Sequence, residues 1–522
     1  MTAGTFRLSG PHLSKRRFLQ GVGGSAVGLL ASGRLDRAAA AGSAAQFYEI
    51  DRQQDFDVII VGAGSAGMPA AIAAAGRGAK VLVIEKSDQL GGTLNITGGA
   101  MAAAGTRLQK RKGIEDSPQN HYDDIMRLSH GKADPAVTRL YVETAGAAID
   151  WLEDNGLAFR PDSPVKGSAH AGFRVARYQS GVEGGRSLIK AMRPEFLAAE
   201  ASGAIRVLMR SGVAELVQGR GKTVTGVIVE DDSGRRTQYR GRNVVLASGG
   251  CMADKATFEK HHAKPLYGRR VWPFATGDGF RLGVGAGGVI SGGEHYMCHR
   301  GIVMSDRGFP APQFTALRLN TDTRLPWEIE VNKLGRRYVA EDATVDILER
   351  AQTDAPDMAA WVIFDQEIYD KAPPLMSLTK EQQERAFDGH AMFAKADTIE
   401  AVARRMGLPP DAVAETVAAY NRSVASGSDA LGRKHMPLPV TKPPFYAIEH
   451  LGSSVFSTAG LDIDGELRVL DSRQRPIPGL YAAGEVSGCW HTCGDFIVNG
   501  GALTPAIAFG RVLGQSLLNF GA

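Results

Sequence analysis

Residues 57–85 constrain the fold of this chain more than any other stretch. They begin with a short β-branched apolar run, residues 58–61, which is typical of a buried parallel strand. Three glycines spaced as Gly-x-Gly-x-x-Gly follow, then an alanine-rich helical run, then a second apolar strand, residues 80–84, that ends at Glu85. This is the complete βαβ pattern of dinucleotide binding, so it predicts a nucleotide site at the carboxyl end of the first strand.

The three glycines of this motif have separate physical roles. Gly62 allows the tight turn, Gly64 lets the backbone approach a pyrophosphate, and Gly67 lets the helix pack closely on the strand. The amino end of the helix offers unpaired N–H groups and the positive end of its dipole to the phosphates. Glu85 stands where an acid accepts hydrogen bonds from the ribose hydroxyls of an adenosine.

Composition excludes several classes of protein. The 522 residues, 43% hydrophobic and 22% charged, are typical of a globular chain with two or three domains. The net charge of +4 is small for this length and indicates neither nucleic-acid nor membrane binding. No run of eighteen apolar residues occurs, so we expect no stable membrane span after processing.

The cysteines indicate neither a disulfide scaffold nor a metal centre. The chain has four of them, and Cys489 and Cys493 could pair or could equally be buried thiols. The Cys-x-x-Cys-His motif is absent, which excludes a c-type haem. No set of cysteines and histidines has zinc spacing, so no metal site is expected.

Residues 1–45 have the order of a signal peptide: basic residues, a mild apolar segment at 21–33, and an alanine run at 38–41. Residues 14–20, SKRRFLQ, resemble the twin-arginine leader, with either Lys15-Arg16 or Arg16-Arg17 as the consensus pair. The resemblance implies export of a folded protein and a periplasmic location, with cleavage near Ala40 or Ala41. The alternative interpretation is a disordered basic tail.

The rest of the chain predicts a nucleotide-binding domain with an insert. Helical patterns at residues 119–129 and 135–155 precede β-alternation at 205–215 and 223–231, and residues 243–250 form a further buried strand opening into glycines. Between residues 295 and 452 the glycine-rich α/β pattern becomes weaker, and charged helices are predicted instead, for example at 380–406 and 410–423. Strand character returns at 479–485, and a final helix is predicted at 502–519.

Seven glycine-rich motifs run from about residue 55 to 515: VGAGSAG, GGT, TGGAMAAAGT, VVLASGG, ATGDG, LYAAGEVSG and NGGALTPAIAFGR. Together they resemble the flavoproteins that include soluble fumarate reductase and 3-ketosteroid Δ1-dehydrogenase. The resemblance implies an α/β fold: a Rossmann-like FAD-binding domain with an inserted α+β substrate-capping domain. The first part of the FAD-binding domain would span residues 50–294, the cap 295–452 and the second part 453–522.

The resemblance also implies how FAD is held, and we expect no covalent attachment. The amino end of the last helix would face the N1–O2 edge of the flavin and stabilise the anionic reduced form. The implied FAD-binding residues are Gly62, Ala63, Gly64, Ala66, Gly67, Glu85, Lys86, Gly92, Thr93, Gly98, Gly99, Val213, Ser248, Gly249, Asp278, Gly484, Glu485, Ala502 and Leu503.

The fumarate reductase pattern is only partly present. Its substrate-binding histidine falls on His299, but its active-site arginine falls on Tyr369 and its carboxylate-clamping arginine on Ile497. Its His-His-Thr segment falls on residues 455–458, which contain no histidine. Because a dicarboxylate is held by such cations, we do not expect fumarate to be the substrate.

The ketosteroid dehydrogenase pattern is also incomplete. Its Pro-Ala-x-x-Phe-Gly matches residues 505–510, and its carbonyl-polarising backbone glycine falls on Gly500, which suggests an oxyanion site. Its two tyrosines fall on Phe496 and Val345. The candidate catalytic residues are His299, Tyr369, His491 and Gly500, with Asp495 as a further candidate proton carrier.

The expected function is that of a periplasmic FAD-dependent oxidoreductase acting on a CH–CH or C=C bond beside a carbonyl, with hydride transfer at flavin N5. The substrate would be a neutral small-molecule carbonyl compound, and a separate cytochrome or quinone would carry electrons. One alternative is a fumarate-reductase-like enzyme for an unsaturated carboxylate, with Arg300, Arg269 or Arg270 as the cation. The other is a non-catalytic flavoprotein that relays electrons.

Overall fold

The computed structural model describes residues 49–50, 55–167, 170–268 and 271–517. The predicted leader, Arg269 and Arg270 lie outside the described residues. The strands are β1 (Glu49–Ile50), β2 (Phe56–Val61), β3 (Val81–Ile84), β4 (Ala100–Ala102), β5 (Tyr178–Ser180), β6 (Ile205–Leu208), β7 (Ser211–Gln218), β8 (Val224–Asp231), β9 (Arg236–Leu246), β10 (Ile290–Ser291), β11 (His299–Met304), β12 (Gln313–Ala316), β13 (Ile329–Asn332), β14 (Ala359–Asp365), β15 (Phe393–Ala396), β16 (Phe445–Ser453), β17 (Gly460–Leu461), β18 (Arg468–Leu470) and β19 (Pro476–Ala482). The α-helices are α1 (Gly67–Ala75), α2 (Arg107–Arg111), α3 (Pro118–Leu128), α4 (Pro135–Asp154), α5 (Gly185–Ala201), α6 (Lys255–His262), α7 (Asp278–Gly285), α8 (Val345–Asp354), α9 (Gln366–Lys371), α10 (Lys380–Gly389), α11 (Ile399–Arg405), α12 (Pro410–Ser426), α13 (Trp490–Cys493) and α14 (Leu503–Ser516).

The larger sheet has the strand order β18-β19-β9-β2-β3-β6. Its members from β19 to β6 are parallel, and β18 is antiparallel to β19. Every residue of β3 is buried, as expected for a parallel strand covered on both faces. Strands β7 and β8 extend β9 as an antiparallel ribbon. The predicted α/β class with a Rossmann-like parallel sheet is therefore confirmed.

Helices α1 and α14 pack together with almost no space between their backbones. A Cβ atom at Gly510 would lie 2.1 Å from the carbonyl oxygen of Ala66, and one at Gly514 would lie 2.4 Å from that of Ala70. Glycines four residues apart lie on one helix face, so both open the same side of α14 to α1. This contact brings the amino ends of the two helices to one end of the larger sheet.

The second sheet is antiparallel and has its own hydrophobic core. Its order is β12-β11-β16-β14-β13, with β15 beside β16. Strands β14 and β16 are buried along their whole length, and helices α9 to α12 contribute apolar side chains to the same core. All strands of this sheet lie between residues 299 and 453.

The predicted helix at residues 380–406 is wrong in its middle. The chain forms α10, then strand β15, then α11. Phe393 and Ala394 pair with Ile448 and Ala447 of β16, so the sheet edge overrides the local helical pattern. Thr398 then caps α11 by accepting from the Ala401 amide, which starts a separate helix.

All four cysteines are buried free thiols, so Cys489 and Cys493 do not form a disulfide. Among the described residues, no helix is long and apolar enough to cross a membrane.

Candidate functional site

One deep cavity of about 490 Å³ opens at the carboxyl ends of β2, β3 and β9, where ligands bind in open α/β sheets. The amino ends of α1 and α14 also reach it. Its walls bring together residues from almost the whole described chain: Val61, Gly62, Gly64, Ser65, Ala66, Ile84, Glu85, Lys86, Gly92, Thr93, Leu94, Thr97, Gly98, Ala100, His170, Tyr178, Ser211, Gly212, Val213, Ala247, Ser248, Gly249, Trp272, Phe274, Ala275, Asp278, Leu282, His299, Val455, Phe456, Ala483, Gly484, Glu485, Ile497, Val498, Gly500, Gly501, Ala502, Leu503 and Ala506.

The glycine motif forms one wall of this cavity. Gly62 has a φ of +105°, and a Cβ there would lie 2.5 Å from the carbonyl oxygen of Ala247. A Cβ at Gly67 would lie 1.8 Å from the carbonyl oxygen of Gly62. Gly64 differs, because a Cβ there would meet no atom within 4 Å and would project into open space. Gly62 and Gly67 therefore shape the turn, and Gly64 leaves room for a ligand.

Glu85 is held at the end of β3 in the position expected of a ribose acceptor. The side chain is buried, and its two oxygens accept from the amides of Ala63 and Ser87, each at 2.8 Å. Lys86 follows it and pairs with Asp278 at 2.7 Å, and all three residues line the cavity. These contacts orient the acidic residues of the nucleotide end.

Glu485 is a half-buried carboxyl group that also lines the cavity. Burial raises its pKa, although its Oε1 accepts from the Ser457 amide at 2.8 Å. A Cβ at Gly250 would lie 2.6 Å from the same oxygen. Gly250 is therefore required for the approach of this side chain to the backbone.

The amino ends of α1 and α14 fit the anionic parts of a flavin nucleotide. Neither helix has a side-chain cap or an acidic residue in its first turn, and their N-cap residues, Ala66 and Ala502, both line the cavity. Uncapped amides at such a helix end are ready donors to a phosphate or a flavin carbonyl oxygen. Together with the open space at Gly64, these donors show that the residues present fit FAD.

The remaining part of the cavity is apolar and aromatic, and we call it the substrate end. Ile497 lines it beside Gly500, and Trp272, Phe274 and Phe456 are further aromatic residues of the cavity wall. Gly500 has a φ of +74°, and a Cβ there would lie 2.5 Å from the Ala102 amide nitrogen. A glycine is therefore required where the resemblance predicts a carbonyl-polarising backbone.

Fixed positive charge is scarce around the cavity. Among the described residues that line it, Lys86 is the lone lysine or arginine, and it lies with Asp278 at the nucleotide end. Arg300, suggested above as a carboxylate-binding cation, instead forms a buried ion pair with Glu330 in the second sheet. Arg269 and Arg270 lie outside the described residues.

His299 is the predicted proton carrier that the structure places in the substrate end. It begins β11, and its ring packs edge-on against that of His170, with 4.8 Å between ring centroids. Glu349 on α8 lies behind both rings, with its Oε1 2.6 Å from His170 Nδ1 and 4.0 Å from His299 Nδ1. Sequence reasoning missed His170 and Glu349, because 179 residues separate them and no motif joins them.

Three other candidate proton carriers do not line the cavity. Tyr369 packs on Phe364 and Tyr446 in the core of the second sheet. His491 is buried below the cavity floor, with Nε2 3.5 Å from Asp462 and Nδ1 3.3 Å from the Gly488 carbonyl oxygen. Asp495 pairs with Arg350 at 3.2 Å.

Most of the FAD-binding residues that the resemblance implies lie together on the cavity wall. The exceptions are Ala63, Gly67 and Gly99. The Ala63 amide donates to Glu85, and Gly67 packs on Gly62. Gly99 lies against the backbone of Gly184, 2.4 Å from where its Cβ would be. Each of these three residues therefore contributes to the shape of the wall.

The parallel sheet, the glycine turn and the two uncapped helix ends define a FAD-binding oxidoreductase. The family model described as FAD binding domain matches residues 57–496. A probable fumarate reductase of Shewanella frigidimarina (strain NCIMB 400) is 31% identical over 465 residues, which are 88% of this chain and 74% of that protein.

Two solved structures have the same fold. The open conformation of a flavocytochrome c3 fumarate reductase matches with a TM-score of 0.66 and 28% identity over 90% of this chain and 78% of that chain. The 3-ketosteroid-Δ4-(5α)-dehydrogenase of Rhodococcus jostii RHA1, in complex with 4-androstene-3,17-dione, matches with a TM-score of 0.66 and 25% identity over 91% of this chain and 98% of that chain. The chain belongs to the FAD-binding flavoprotein family that includes fumarate reductase and the 3-ketosteroid dehydrogenases, and it is a FAD-dependent oxidoreductase of the CH–CH group.

Proposed function

We propose that this flavoprotein acts on a carbon–carbon bond beside the carbonyl of a neutral, cyclic substrate, either desaturating a ketone or reducing an enone. The observation that carries this proposal is the lining of the substrate end. Val455 and Ile497 stand in the cavity wall at positions where the fumarate reductase pattern has histidine and arginine. An apolar wall favours a ring and leaves a carboxylate without the bidentate partners it needs.

The chain's own groups would bind and polarise the substrate. The aromatic walls formed by Trp272, Phe274 and Phe456 would exclude water and hold a ring. Backbone around Gly500 would stabilise the negative charge that develops on the substrate's carbonyl oxygen, and the uncapped amino end of α14 would face the flavin. FAD, when bound, would accept or donate a hydride at N5. The related ketosteroid dehydrogenase, whose ligand is a neutral ketone, supports this substrate class.

A matched pair of compounds tests the charge preference. Anaerobic stopped-flow absorbance would follow the flavin band of the reduced protein after mixing with cyclohex-2-en-1-one or with cyclohex-1-ene-1-carboxylate, which share the ring and the conjugated alkene. We expect saturable reoxidation by the enone and little by the acid. Mixing oxidised protein with cyclohexanone tests the reverse direction, and bleaching would identify a dehydrogenase.

The carboxylate reductase remains the second candidate, because Arg269 and Arg270 precede Trp272 of the cavity wall. If the acid alone reoxidises the flavin, and Arg269→Gln or Arg270→Gln abolishes that reaction, the enzyme is a carboxylate reductase and the neutral-substrate proposal is wrong. If no compound of either class perturbs the flavin spectrum, the electron-relay alternative is favoured.

We further propose that the protein is exported and exchanges electrons with a separate carrier. The support for export is the leader-like order of residues 1–45, with its SKRRFLQ segment. The support for electron exchange with a haem protein is that one related structure is a flavocytochrome. A cytochrome or a quinone would serve as this carrier.

A further inference from the structure

His170, His299 and Glu349 form a polar cluster in the otherwise apolar substrate end, and we call it the histidine–glutamate cluster. Both imidazoles line the cavity, and their side chains are 11% and 13% exposed. Glu349 lies behind them and is 1% exposed. Resemblance to the family did not point to His170 or Glu349, so the geometry alone raises the question of what they do.

His170 is the main hydrogen-bond partner of the Glu349 side chain. Its Oε1 lies 2.6 Å from His170 Nδ1, and its buried Oε2 accepts from none of the described residues. The nearby Arg350 forms an ion pair with Asp495, and Arg300 forms one with Glu330. Because a buried carboxylate requires a close donor, the N–H of His170 is the group that satisfies Glu349.

The remaining polar groups around Glu349 do not compete for its carboxylate. The Thr353 hydroxyl donates to the backbone carbonyl oxygen of Glu349 at 2.7 Å, and the Cys298 thiol lies 3.9 Å from the same oxygen. His299 Nδ1 lies 4.0 Å from Oε1, beyond hydrogen-bonding distance. His170 is therefore the imidazole whose ring is fixed by the carboxylate.

This hydrogen bond determines which nitrogen of His170 can exchange a proton. A carboxylate accepts, so Nδ1 carries the hydrogen and Nε2 remains as the exchanging atom. The same arrangement lets a carboxylate orient a catalytic imidazole and stabilise its protonated form. His299 has no comparably short bond to the carboxylate and is better suited to contact the substrate.

We propose that His170 exchanges the proton with the carbon beside the substrate's carbonyl, and that Glu349 is its positioning residue. This inference rests on the proposed function. In desaturation, the C–H bond at that carbon breaks, its proton goes to Nε2, and its electron pair forms the new C=C bond as the neighbouring carbon loses a hydride to FAD. In reduction the same steps run in reverse, and protonated His170 donates from Nε2.

Kinetics of His170→Gln and Glu349→Gln test the assignment with whichever substrate the wild-type protein turns over. His170→Gln should lower kcat by about 10²- to 10⁴-fold with little change in KM. Glu349→Gln should lower kcat by about 10- to 100-fold with little change in KM, because the amide no longer fixes the ring of His170 through its Nδ1–H. Glu349→Asp should restore part of the rate.

The matched control is Glu449→Gln, which removes another buried carboxylate of the second sheet, one that pairs with exposed Arg307 outside the cavity. It should leave both kcat and KM unchanged. If Glu349→Gln behaves like Glu449→Gln, or if His299→Asn alone abolishes proton exchange while His170→Gln does not, the assignment is overturned.

Nitrogen-15 NMR of the histidine rings in the protein without FAD gives a readout independent of turnover. His170 should carry its hydrogen on Nδ1 in the wild-type protein, and its Nδ1 signal should shift in Glu349→Gln. A hydrogen on Nε2 would overturn the proposal. So would one equivalent of a tightly held divalent metal that is lost in Glu349→Gln, because the three ligand atoms lie within 4.8 Å of one another. Failure of the proposed function would appear differently, as a wild-type protein that no carbonyl compound affects.

Discussion

Gly64 is the residue at which loss of FAD binding can be separated from loss of the fold. Gly64→Ala places a methyl group in open space on the cavity wall, so the free protein should fold normally. The methyl group would overlap the space needed by the pyrophosphate, which should weaken FAD binding by about 1–3 kcal/mol, or roughly 5- to 150-fold in Kd. Titration of the apoprotein with FAD, followed by flavin fluorescence, measures this change.

Gly285→Ala is the matched control, because this exposed glycine at the end of α7 also has no atom within 4 Å of a Cβ. It should bind FAD as the wild-type protein does. Equal affinities for the Gly64 and Gly285 variants would mean that the motif does not contact the nucleotide.

The packing of α14 on α1 explains how two helix amino ends come to face one cavity. Gly510→Ala would force a Cβ against the Ala66 carbonyl oxygen, only 2.1 Å away, so the helices must separate. We expect a loss of about 1–3 kcal/mol in the free energy of unfolding, measured by chemical denaturation. Gly389→Ala, at the exposed end of α10, should change it by less than about 0.5 kcal/mol. A tolerated Gly510 substitution would contradict the close contact.

The second sheet depends on a buried ion pair between β11 and β13. Burial opposes ionisation of Glu330, but Arg300, and then His450, outweigh it and hold the pKa of Glu330 at about 2. Glu330→Gln leaves Arg300 buried without its partner, so we expect it to lower the free energy of unfolding by about 3–5 kcal/mol at neutral pH. The exposed Glu143→Gln on α4 should be neutral.

The same ion pair predicts an acid-dependent loss of stability. The folded pKa of Glu330 lies below its ordinary value of 4.5, so its contribution is complete above that value and is lost as the pH falls towards 2. Thermal unfolding of the wild-type protein between pH 5 and pH 3 should therefore lose more stability than that of Glu330→Gln. Parallel pH dependences for the two proteins would contradict this reasoning.

FAD should stabilise the whole protein, because residues of the parallel sheet, the second sheet and the final helix all line its cavity. A ligand that binds only the folded state adds about 2.7 kcal/mol at one hundred times its Kd. The Tm of the apoprotein should therefore rise with FAD concentration, and rise less with ADP or FMN alone, since each fills only one end. Equal shifts with ADP and FAD would place the flavin outside the cavity.

The proposed export would depend on the leader-like segment of residues 1–45. Replacing Arg16 and Arg17 by lysine should retain the protein in the cytoplasm with residues 1–45 attached, because this change removes the arginines of both candidate pairs, Lys15-Arg16 and Arg16-Arg17. Cell fractionation and amino-terminal sequencing measure this outcome. Periplasmic protein from the double variant would show that neither pair is the export signal.

The nucleotide end was predictable because its determinants are local. Residues 57–85 contain the strand, the turn, the helix and the acid in one stretch, and each has a steric or electrostatic role that no distant residue can replace. The family motifs extended the prediction to most of the residues that line the cavity. The helix predicted at residues 380–406 failed because pairing with β16 outweighed the local pattern.

The α/β class and the glycine turn could be predicted from the sequence, since both depend on residue types at short and regular spacing, and the family resemblance implied a set of FAD-binding residues most of which line one cavity. The tertiary structure alone decided which titratable groups share the substrate end. It brought His170 and Glu349 within 2.6 Å although 179 residues separate them, and it placed Tyr369 and His491 in packed surroundings away from the cavity. The physical reason is that such a cluster depends on how the second sheet packs over the first. The spacing of residue types along the chain does not predict that packing.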